Sequence, residues 1–198
     1  MKRLIILAVI FLMLPLAFAP TEANAQGRER FTGTVVYFGS GRNTRTVTTN
    51  FTLDITGMTT NEQVQNYLSI LKDKGQEQVL NAMDDNELGR FSVSSSVGIP
   101  INFVRERETN GHRHIFIAFR RWTQFAELRY GYRSLDYPFG VIELMIDPRT
   151  GKGEGTYIAA ARVRWDSDGD NGEPRVEIEN FATYPARLMG VQSDRRRP

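Results

Sequence analysis

The chain has 198 residues, a formal charge of +2 and no cysteine. The near balance of charge excludes the basic excess that nucleic-acid binding requires, and the missing thiols exclude disulfides, thiolate metal sites, cysteine catalysis and a lipidated N-terminal cysteine. An apolar core alone must therefore hold the fold.

The first 25 residues read as an export signal. Met1, Lys2 and Arg3 give a positive start, Leu4 to Ala19 form an apolar run, and Ala23, Asn24 and Ala25 supply a small-x-small cleavage pattern. Cleavage after Ala25 would leave a chain beginning at Gln26, secreted or periplasmic, with no transmembrane span in the remainder. Residues 26–192 are long enough for one β-rich globular domain. Residues 193–198, with Arg195, Arg196 and Arg197, read as a frayed, Arg-rich tail. Lysine occurs after the signal only at Lys72, Lys74 and Lys152. Arginine suits planar contacts with carboxylate or phosphate, although genomic base composition produces the same bias.

Phe31 to Phe38 is rich in β-branched and aromatic residues and predicts a strand. A turn over residues 39–43 leads into a second strand over 44–55, so the two should pair as a hairpin. At Thr59 the period changes. Thr59 and Glu62 have the spacing of a capping box, and Val64, Tyr67, Leu68 and Leu71 follow at helical spacing as one apolar stripe. Gly75 ends this helix. A second short helix from Gln76 to Asp84 would bury Val79, Leu80 and Met83.

Strands dominate from Leu88 onward. One spans 90–96, and 100–108 joins 112–122 through Asn110-Gly111, the dipeptide of a type I′ turn. A two-residue turn there sets Thr109 opposite His112, Arg107 opposite His114, Arg105 opposite Phe116 and Val104 opposite Ile117. Residues 123–129 fit either a short helix or a bent strand, and 130–138 is an aromatic loop expected to cover one end of the sheet. Residues 141–146 and 155–165 form another hairpin. Residues 175–192 supply the final strands, interrupted at Pro185, which cannot donate to a ladder.

Together these elements predict an α+β fold, predominantly antiparallel β, with one helical pair inserted after the second strand. Either a curved sheet or a partly open barrel built from hairpins satisfies the pattern. We favour the curved sheet, covered on one face by the helices.

No catalytic motif is present. The sharpest local constellation is Asp166, Asp168, Asp170 and Glu173, whose alternating carboxylates are hard oxygen ligands suited to Ca²⁺. The position where an EF-hand needs Gly holds Asn171, and the same residues suit an acidic hairpin turn. His112 and His114 share a strand face and could ligate a metal with an inward Glu143, or simply flank the hairpin tip. Trp122, Tyr130, Tyr132, Tyr137 and Phe139 gather around the least regular segment, either as a contact surface or as a plug of the core.

The sequence thus predicts an exported, non-enzymatic binding or structural module of the bacterial envelope or extracellular space. Its partner would be an envelope polymer, an apolar small molecule or a protein, contacted by the aromatic segment, with no cofactor other than calcium. Two alternatives remain: a hydrolase of envelope or extracellular polymers using carboxylate and histidine chemistry, and a calcium-stabilised adhesion or assembly module.

Overall fold

The computed structural model describes residues 28–39, 45–123, 129, 133–167, 174–181 and 184–194. The expected signal peptide and residues 195–198 of the expected tail lie outside them. None of the helices is long and apolar enough to cross a membrane, among the described residues.

Alternating sequence builds the sheet. Strand β1 (Glu29–Tyr37) sends Phe31 and Val35 inward, and β2 (Val47–Ile55) answers with Phe51, Leu53 and Ile55 in a nine-residue antiparallel ladder. The following helices are α1 (Asn61–Lys74) and α2 (Gln76–Met83). The cap of α1 is one residue later than its sequence suggests: the Thr60 hydroxyl accepts from the Gln63 N–H at 3.2 Å, and the Gln63 side chain accepts from the Thr60 N–H at 2.9 Å. Thr59 is occupied elsewhere. Buried, it donates its N–H to the Val104 carbonyl and accepts the Val104 N–H at its hydroxyl, both at 2.9 Å, which pins the helix entry to the sheet.

Strand β3 (Gly89–Val93) pairs with β2 and with the short β4 (Ile99–Ile101). After a single intervening residue, Asn102, the chain continues as β5 (Phe103–Thr109) and pairs with β6 (His112–Arg120) in the register that the Asn110-Gly111 turn dictates. Both turn residues have positive φ, 54° and 74°, as a type I′ turn demands. A 3₁₀ turn (Arg133–Asp136) precedes β7 (Phe139–Ile146), then β8 (Lys152–Asp166), β9 (Arg175–Asn180) and β10 (Ala186–Ser193). Pro185 falls in the break between the last two, and Ser193 belongs to β10.

Every ladder is antiparallel, and the order is β4-β3-β2-β1-β10-β8-β7-β6-β5, with β9 on β8. The two ends of this list are consecutive in the chain. The bent run β4–β5 therefore carries the sheet back to its beginning, and the result is a nearly closed barrel. The curved open sheet that patterning alone favours is avoided because one strand, broken at Asn102, pairs on both sides.

Inward residues fill this barrel. Phe91 is its centre, with ring centroids 5.9 Å from Phe51, 6.0 Å from Phe119 and 5.0 Å from Tyr157. Gly140 is required for this packing: a Cβ there would stand 2.3 Å from Cε2 of Phe119. One end is closed by charge. Arg113 is buried and donates to both oxygens of Glu29 at 2.8 Å and to both oxygens of Glu106 at 2.7 and 2.8 Å. These bonds, chiefly those from Glu106 and Glu29, raise the Arg113 pKa against the opposing effect of burial. At the other end buried Arg121 donates to the Tyr137 carbonyl at 2.7 Å and the Ser134 carbonyl at 2.8 Å, so residues 134–137 fold over that opening.

Candidate functional site, a groove between the helices and the barrel wall

The outward faces of β5, β6 and β7 form rungs whose chemistry changes along the strands. Phe103, Ala118 and Val141 are paired neighbours in one rung, Arg105, Phe116 and Glu143 in the next, and Arg107, His114 and Met145 in the third. The wall thus runs from apolar to charged over two steps of roughly 7 Å each.

Helix α1 covers the apolar end incompletely. Tyr67 and Leu71 are buried, but Val64 and Leu68, on the same stripe, are only half-buried. Helix α2 presents Val79 and Met83 to the floor beside Phe139. The third wall is the ribbon of β8 and β9, which is amphipathic. Its outer side is an ion-pair ladder in which Arg164 meets Glu177 at 3.1 Å and Glu179 at 3.4 Å, and Arg175 meets Asp166 at 3.1 Å. Its opposite side carries Val163, Val176 and Ile178, the last two 38% and 37% exposed. All three walls face one cavity of about 490 Å³, within the range of small-molecule sites.

The groove does not stop at its charged end. His114 and Glu143 also line an adjoining trough of about 250 Å³, bounded by Glu154, Thr156 and Arg187. Glu143 lies opposite Thr156, and Thr156 opposite Arg187, so one rung crosses β7, β8 and β10. Among the described residues, the side chains of Arg107, His114, Glu143, Glu154 and Arg187 make no hydrogen bond or ion pair. This contrasts with Arg30, Arg120 and Arg162, which meet Asp54, Asp84 and Asp136 at 2.8, 2.9 and 3.3 Å. Arg105 is tethered, donating to the Thr59 carbonyl and the Asn61 side chain at 2.9 Å each.

The residues singled out from the sequence are distributed unevenly around this site. Phe139 is buried and forms part of the groove floor. Tyr137 is 2% exposed, with its hydroxyl donating to Glu179, the Arg162 guanidinium 4.7 Å above its ring and the Phe181 ring 5.1 Å away. Trp122 is 76% exposed and takes no part in the groove. Tyr130 and Tyr132 lie outside the described residues, as do Asp168, Asp170 and Glu173 of the acidic loop. Asp166 is in β8 and is engaged by Arg175.

His112 and His114 do share the outer face of β6, but only His114 reaches the groove. His112 is exposed, with Nδ1 3.1 Å from the Asn110 carbonyl. Glu143 points outward and not inward, because Ile142, Leu144 and Ile146 fill the inward positions of β7. Among the described residues no three His, Asp or Glu side chains are grouped as a metal ion would need.

Sequence reasoning missed Val64 and Leu68 as groove residues, because a helical stripe says which side is apolar and not how completely it is covered. It also missed Val176 and Ile178. Their alternation with Arg175, Glu177 and Glu179 was the available signal, since an amphipathic strand needs something to cover its apolar side. No family model matches the chain, and searches of the curated proteins and of the solved structures return no significant match.

Proposed function

We propose that this protein is an exported, non-enzymatic binding module whose groove takes a linear apolar chain. Export rests on the signal-like first 25 residues. The observation that carries the binding reading is the half-covered apolar lining of the groove, Val64, Leu68, Phe103, Phe116, Val176 and Ile178, beside a barrel whose own interior is full. Water in contact with such a lining is replaced favourably by a ligand methylene, worth about 0.8 kcal/mol each when fully buried. The open trough at one end and the closed floor at the other suit a chain that enters tail first.

The test is titration with dodecanol, whose head is minimal, followed by Trp165 fluorescence in a Trp122→Phe background. Trp165 packs beside the groove wall. Saturable binding with a dissociation constant on the order of 0.1 mM is expected, and Leu68→Trp, which fills the groove, should abolish it. Saturation that survives Leu68→Trp would place the ligand elsewhere.

Hydrolysis is the competing reading, favoured by one observation: His114 and Glu143 line both the groove and the trough. Turnover of a 4-nitrophenyl dodecanoate that vanishes in both His114→Gln and Glu143→Gln would replace the binding reading with an esterase.

A further inference from the structure

The charged end of the groove and the adjoining trough, which share His114 and Glu143, together offer a head-group subsite. Nitrogen donors stand on the β5 and β6 side, where the Arg107 guanidinium, at the charged end of the groove, faces the His114 imidazole, which lines both groove and trough. Carboxylates stand next to them on β7 and β8, where Glu143 lies one rung from Met145 and Met145 faces Glu154, and Arg187 of β10 bounds the far side of the trough opposite Thr156. His114 and Glu143 are diagonal neighbours on paired strands, which sets their Cα atoms about 7 to 8 Å apart. None of the side chains of Arg107, His114, Glu143 and Glu154 has a hydrogen-bonding or ionic partner among the described residues, so their bonding capacity is open to a ligand.

We infer that the ligand is a single-chain amphiphile with a zwitterionic head, its phosphate held by Arg107 and His114 and its ammonium by Glu143 and Glu154. This rests on the groove taking an apolar chain. A purely anionic head would gain from Arg107 but face the two carboxylates, and a purely cationic head would meet the reverse. A phosphate and an ammonium two carbons apart match both signs at once, over the spacing the diagonal pair provides. Arginine contributes paired, planar donors to phosphate oxygens. The tail then lies over Phe116 and Phe103 towards the floor at Phe139, following the polarity gradient of the wall.

The experiment compares four probes that share a dodecyl tail, each below its micelle concentration and measured by calorimetry on the folded protein: dodecylphosphocholine, dodecanoate, dodecyltrimethylammonium and dodecyl maltoside. Dodecylphosphocholine should bind at least about tenfold tighter than the other three. Arg107→Gln and Glu143→Gln should each weaken it about fivefold to tenfold. Their effects on the singly charged probes should cross, Glu143→Gln improving dodecanoate and Arg107→Gln improving dodecyltrimethylammonium. Both side chains are exposed, so neither change threatens the fold. Equal affinities for all four probes, or tightest binding of the maltoside, would overturn the zwitterion assignment while leaving the apolar groove in place. Failure of all four to bind would remove the groove reading as well.

Discussion

Two sets of apolar side chains share the wall formed by β5, β6 and β7. Those pointing inward, among them Val104, Ile115, Ile117, Ile142 and Leu144, are fully enclosed by the other strands of the barrel. Those pointing outward, Phe103, Phe116, Val141 and the facing Val64 and Leu68, are covered by two helices of 14 and 8 residues and by one ribbon. A barrel interior is covered by construction, because each strand faces the others. An outer face is covered only as far as the next element reaches, and α1, about 21 Å long, leaves a seam against β9. Full burial therefore marks the part of the molecule that maintains the fold, and partial burial marks where the outer face stays open as a groove.

The sharpest way to break this comparison is to cut the two sets and compare the cost. Phe91→Ala, at the centre of the barrel, should destabilise by about 3 to 5 kcal/mol in urea unfolding; a loss below about 1 kcal/mol would mean the interior is loosely packed. Gly140→Ala places a methyl against the Phe119 ring and should cost about 1 to 3 kcal/mol through overpacking.

Alkali probes the same interior without a cavity. Burial raises the pKa of Tyr157, with the neighbouring Tyr37 adding to the shift. A raised pKa means the associated stability is complete below the unfolded value near 10 and is lost progressively as pH rises from there through the raised folded value. Between pH 8 and pH 11 one such phenol accounts for about 1.4 kcal/mol. Tyr157→Phe should therefore lose less stability over that interval than the parent protein, and an identical loss would show that the hydroxyl already reaches solvent.

The smallest expected effect is on the groove side. The helical stripe by itself predicts a cost of about 2 to 5 kcal/mol for Leu68→Ala. The half-exposed position lowers this to below about 1 kcal/mol, while ligand binding should fall severalfold. A full core-like cost would show that the groove is closed in solution.

What the sequence reveals follows from how far each physical signal reaches. Hairpin register was legible because Asn110-Gly111 fixes it locally, and the pairing of Arg107 with His114 follows by counting. The two helices were legible from their period and from Gly75. Barrel closure was not, since it depends on a long-range event, the pairing of 99–101 with β3 while 103–109 pairs with β6. The buried Glu29–Arg113–Glu106 cluster was hidden for the same reason: residues 29 and 113 meet across 84 positions of sequence. The groove combines elements from four places in the chain, so only its ingredients were visible: Phe139 of the aromatic segment reaches its floor, while Val64, Leu68 and the β9 face join it from elsewhere.

The most direct test of the account follows the methyl groups by ¹³C-edited NMR during titration with dodecylphosphocholine below its micelle concentration. Saturable shifts should be confined to groove methyls, Val64, Leu68, Val163, Val176 and Ile178, with Ile117, Ile142 and Leu144 of the barrel interior unmoved. Shifts centred on those three interior methyls would put the ligand inside the barrel and contradict the division between a filled core and an open groove.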